Sequence, residues 1–133
     1  MKSYMTREQA NAWVTSLADR NGMPVDEHVR PLVAALARLG VYTTMSCHGH
    51  ENLNEPCPWV RFTYRDLPFV AKLVARQNGS CKKNGDMSVN LWVLYPLADQ
   101  ITLAPFNLKQ PLTKLRADAC TFAEFLHELA DRG

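Results

Sequence analysis

The chain has no long hydrophobic run. Its apolar stretches fall well short of the roughly 20 residues that a membrane-spanning helix needs, and residues 1–7, MKSYMTR, lack the apolar centre of a signal peptide. No membrane partner and a cytoplasmic location are therefore expected. Charge of one sign is also scarce: a formal net charge of +2 over 133 residues is too mild to announce nucleic acid or an anionic membrane. The four cysteines contain no C-x-x-C hook of the kind common zinc modules use. Phosphate-cradling glycine loops, HExxH helices, Gly-x-Ser-x-Gly elbows and EF-hand spacings are absent. What is there is ordinary globular composition, 47% hydrophobic and 21% charged, which excludes disorder as the main state. The length suits one domain, 1–133.

Periodicity supplies four helices and four strands. Thr6 and Gln9 have capping-box spacing, and Ala10, Trp13, Val14 and Leu17 follow at i, i+3, i+4, i+7, with Asn21-Gly22 as the stop. Pro24 and Asp26 prepare a second helix that starts properly near Arg30, presents Val29, Leu32, Val33 and Leu36, and ends at Gly40. Strands are expected over 41–46, 59–64, 89–95 and 101–106. A third helix is capped by Asp66 and stopped at Asn78-Gly79, with a polar loop over 80–86. Thr121 and Glu124 form a second capping box, opening a last helix with Phe122, Phe125, Leu126 and Leu129. The order α-α-β-β-α-β-β-α favours an α+β fold: one four-stranded, mostly antiparallel sheet packed against helices. A permuted ferredoxin-like arrangement with strand order 1-2-4-3 is one candidate.

The segment between the first two strands, CHGHENLNEPCP, is the most informative part of the chain. Hairpin loops usually hold about 2–5 residues, and this longer one carries two of the four cysteines and two of the four histidines. Cys47, His50 and Cys57 offer thiolate and imidazole ligands that suit tetrahedral zinc, with Gly49 allowing the sharp turn between them. The fourth ligand is open: His48, Cys81, Cys120, His28, His127 or a water. Because one glycine separates the two histidines, Cys47 and His50 are expected to matter more than His48.

The same atoms support a metal-free reading. Cys47 just past a strand end can act as a nucleophile, with His48 or His50 as base and Ser46 and turn amides at a developing oxyanion. Glu51 and Glu55 can serve as acid or base, or can orient a histidine. The plain alternative leaves Cys47 packed as a small apolar residue and the histidines capping loop amides. A Cys47–Cys57 disulfide fits the loop length, although reduced thiols are the default here. Cys120 suits a hydrophobic staple on Phe125, and His28 and His127 suit solvated or structural positions.

GVYTTMSCHGH (40–50), followed by Pro58-Trp59-Val60-Arg61-Phe62, resembles a pattern in small uncharacterised bacterial and phage proteins, in which a helix, a glycine and a strand lead into a Ser-Cys-x-Gly-His loop. The resemblance covers roughly 29–64 and implies no established activity. The Thr-x-x-Ser-Cys-x-Gly stretch is faintly similar to the Ser-Cys-Ser-Gly-Arg loop of the wybutosine-synthesising tRNA methyltransferase family, with His50 where that family has arginine.

The expected function is thus a small cytosolic protein whose loop forms a zinc or small-molecule site, enzymatic or not. One rival is a non-catalytic protein-binding or inhibitory module; another is a metal-free catalyst using Cys47. Trp59 and Trp92 are expected opposite the apolar strand faces, where with Arg61 they could stack single-stranded RNA or cover a partner, including a second copy in a homodimer.

Overall fold

Thr6 closes the capping box its spacing announces. Its hydroxyl accepts the Gln9 amide at 3.1 Å, and the Gln9 side chain accepts the Thr6 amide at 2.9 Å. The helix it opens, α1, spans Arg7–Ser16 and buries Ala10 and Val14. The computed structural model describes residues 1–18, 22–51, 56–83 and 91–132, without the side chains of 81–83. Asn21 lies outside that set, and α1 already ends at Ser16. Leu17 is extended, and Ala18 bridges to Pro24 around Gly22.

A short 3-10 turn, Glu27–Val29, leads into α2, Arg30–Arg38, so that Pro31 falls in the first turn where its missing donor costs nothing. Every residue from Leu32 to Arg38 is buried. Ala34, Ala35 and Ala37 keep this helix slim, which lets it pack on both α1 and the last helix. Gly40, at φ +85, ends it in a Schellman motif: the Gly40 amide reaches the Ala37 carbonyl at 3.0 Å and the Val41 amide reaches Leu36 at 2.9 Å. That motif absorbs the start of the expected strand 41–46, and β1 is only Met45–Cys47.

β2 covers Trp59–Thr63, β3 Trp92–Leu97 and β4 Gln100–Pro105. The strand order is β1-β2-β4-β3 with every pair antiparallel, the 1-2-4-3 order and α+β class expected. Between β2 and β3 runs α3, Leu67–Lys83. It continues through Asn78-Gly79 instead of stopping there. The Asn78 side chain is spent elsewhere, donating to the Trp92 carbonyl at 2.9 Å and accepting the Trp92 amide at 3.0 Å.

The last helix departs furthest from expectation. α4 runs Leu112–Asp131, so Thr121 is mid-helix and donates back to the Ala117 carbonyl at 3.2 Å. Leu112, Leu115, Ala119, Phe122, Leu126 and Leu129 are all buried, an alternating three-and-four spacing that overrides the local capping signal. Cys120 is consequently exposed on the helix and staples nothing. Among the described residues no helix is long and apolar enough to cross a membrane.

Val60 and Phe62 of β2, Ile101 and Leu103 of β4, and Trp92 and Leu94 of β3 share the main core with α1, α2 and α4. Trp92 therefore faces inward, 1% exposed, its ring edge-on to Phe122 with centroids 5.1 Å apart. The expected Trp59–Trp92 face does not form, because pairing Trp92 with Pro105 and Leu94 with Leu103 fixes the opposite phase for β3. Trp59 sits instead on the alternate face beneath the Arg61 guanidinium, 4.1 Å from its ring centroid, and Arg61 Nε donates to Thr102 Oγ1 at 3.1 Å. Cys57, Ala104 and Leu115 form a separate small cluster with Trp59.

Candidate metal centre

β1 delivers Cys47 at its last pair, opposite Trp59. The chain then turns sharply at Gly49, φ +85, whose amide donates to Cys47 Sγ at 3.3 Å. No other residue fits this turn: a Cβ on Gly49 would lie 2.6 Å from Leu112 Cδ1 and 2.9 Å from the Cys57 carbonyl carbon. Arg116, one turn into α4 beyond Leu112, spans the turn with a fork. Its Nε donates to the His48 carbonyl at 2.9 Å and its NH2 nitrogen to the Gly49 carbonyl at 2.8 Å.

Asp26 approaches from the turn before α2. Its side chain makes no helix cap; Oδ2 instead accepts the His48 amide at 3.0 Å and lies 4.0 Å from His48 Nε2. The His50 ring packs against His48, ring centroids 5.2 Å apart at 65°. One ligand atom from each of Asp26, His48 and His50 thus falls within 4.8 Å of the others, and all three residues are half-buried. Burial lowers the His48 pKa, Asp26 opposes that shift, and Arg116, His28 and His50 add to it. The neutral imidazole that a metal requires is the form this environment favours.

The structure brings together two of the expected ligand-loop residues, His48 and His50, and adds an unexpected carboxylate. Cys47 and Cys57 are buried, 5% and 7% exposed, and form no disulfide; neither belongs to the Asp26 group. Cys57 packs with Ala104, Leu115 and Trp59. Glu51 is exposed just past His50 and outside the group. Glu55 and the Cys81 side chain lie outside the described residues.

His28 is exposed beside His48, centroids 5.2 Å apart, and its backbone amide points to His48 Nδ1 at 3.5 Å. His127 is buried with its Nδ1 3.0 Å from Arg38, a structural position. The sequence offered no spacing signal for Asp26, which reads only as part of the lead-in to the second helix; folding carries it across to His48. No family model, curated protein or solved structure matches the chain.

Proposed function

We propose that this protein binds one divalent first-row metal ion, zinc foremost, through Asp26, His48 and His50, and that its function is exercised at that ion on a small oxygen-donor ligand. The observation that carries the reading is the approach of three ligand atoms to within 4.8 Å from two segments distant in sequence. Two imidazoles and one carboxylate are a donor set that suits zinc and its neighbours. Metal–ligand bonds of about 2.0–2.1 Å put tetrahedral ligand atoms about 3.3 Å apart, so atoms within 4.8 Å of one another need to close by about 1.5 Å at most. Three protein ligands leave a position for water or ligand, where a bound metal supplies Lewis-acid polarisation. The proposed setting is cytoplasmic and the proposed partner a small molecule.

The sulfur-based readings lose ground to the same geometry. Cys47 at 5% exposure offers little access to a substrate, and Cys57 is packed among apolar groups.

Metal content after purification without affinity tags, followed by titration of the metal-free protein with Zn2+, tests the proposal. One equivalent should bind, with affinity sharply reduced in Asp26→Asn, His48→Ala and His50→Ala and little changed in Cys57→Ala. Absence of stoichiometric binding, or equal binding by His48→Ala and the parent, would refute it.

A further inference from the structure

We infer that Arg116 is the positioning residue of the metal site, so that the first turns of α4 set its affinity without supplying a ligand. This rests on the metal reading above. His48 and His50 are separated by a single glycine, and the angle between their side chains is governed by the backbone of His48 and Gly49. A glycine at φ +85 has no side chain to restrain it, and this loop has only a three-residue strand behind it. Restraint comes instead from α4. The Arg116 fork takes both carbonyls of the turn, at 2.9 and 2.8 Å, and Leu112 fills the space where a Cβ at position 49 would stand.

Two parallel donors from one rigid guanidinium fix orientation as well as distance, which a single ammonium does not. The third anchor, Asp26 Oδ2 on the His48 amide at 3.0 Å, acts on the preceding peptide group. The turn is thereby held at His48 N–H, His48 C=O and Gly49 C=O, from two separate elements. Arg116 itself is held on a 20-residue helix whose buried stripe locks into the core, so its fork is a fixed reference and not a mobile surface group.

The experiment uses Co2+ as a spectroscopic probe and Zn2+ competition as the affinity readout, on the full chain carrying Arg116→Gln or Arg116→Lys. Arg116→Gln should weaken Zn2+ binding by about 10–100-fold, the range seen when outer partners of metal ligands are removed, and should alter the visible Co2+ band. Arg116→Lys, which keeps charge but not the fork, should recover part of the affinity. Thermal melting of the metal-free variants shows whether they remain folded. A folded Arg116→Gln protein with parental Co2+ spectrum and Zn2+ affinity overturns the role of Arg116 and leaves the metal site standing. Failure of the parent itself to bind Co2+ and Zn2+ overturns both.

Discussion

Gly49, Gly22 and Gly79 look alike in sequence and differ physically. Gly49 combines positive φ with contacts that a methyl group would violate on both Leu112 and Cys57. Gly49→Ala should therefore destabilise by about 2–5 kcal/mol, the sum of left-handed strain and overpacking. Gly22, φ +76 with open space around it, carries only the first cost, roughly 1–2 kcal/mol for the same change. Gly79 lies inside α3, has no positive φ, and would place a Cβ with nothing within 4 Å of it. Gly79→Ala should stabilise by about 0.5–1 kcal/mol. Urea unfolding of the three variants checks the ranking, and an equal effect at positions 22 and 49 would remove the packing argument.

At the scale of elements, a polar clasp centred on the buried Arg38 and His127 joins α2 to α4 and to the segment before α1. Arg38 Nε donates to the Met5 carbonyl at 3.2 Å, one terminal guanidinium nitrogen reaches Asp131 Oδ1 at 2.6 Å, and the other lies 3.0 Å from His127 Nδ1. Burial lowers the His127 pKa below its ordinary 6.5, and the Arg7 and Arg38 guanidinium groups push it the same way. The unfolded chain therefore binds this proton more readily than the folded one. The contribution is complete above about pH 6.5 and is lost as pH falls toward the folded value. His127→Asn keeps an acceptor near Arg38 without a titrating group. Its melting temperature should fall less than the parent's between about pH 7 and pH 5; parallel curves would contradict this. A second joint is the Asn78 side chain on the Trp92 backbone. Asn78→Ala should cost about 1–3 kcal/mol for the two lost hydrogen bonds, measurable as a shift in the urea midpoint at constant slope.

For the molecule as a whole, a metal at Asp26, His48 and His50 would tie the turn before α2 more firmly to the β1–β2 loop, two segments that already meet at His48 through Asp26 and His28. Binding to the folded state alone at a hundredfold excess over Kd stabilises by about 2.7 kcal/mol, roughly 10 °C in melting temperature for a chain of this size. Zn2+ should produce such a rise in the parent and little or none in Asp26→Asn; equal rises in both would remove Asp26 from the site. How much of this was legible follows from the range of each interaction. Capping at Thr6, the Schellman stop at Gly40, the Pro31 start of α2 and the α+β order are set by residues within one turn or one strand of each other, so the sequence alone determined them. It also marked 47–57 as a segment dense in cysteine and histidine. A local signal failed where a distant partner claimed the same group, since Asn78 bonds Trp92 instead of ending α3; the bond from His48 to Asp26 had no local signal at all. The phase of β3, and hence the burial of Trp92, depends on its register with β4. Which histidines face a carboxylate was likewise decided only when α4 and the turn before α2 closed on the loop, because hydrogen bonds and packing across many tens of residues leave no periodicity to read.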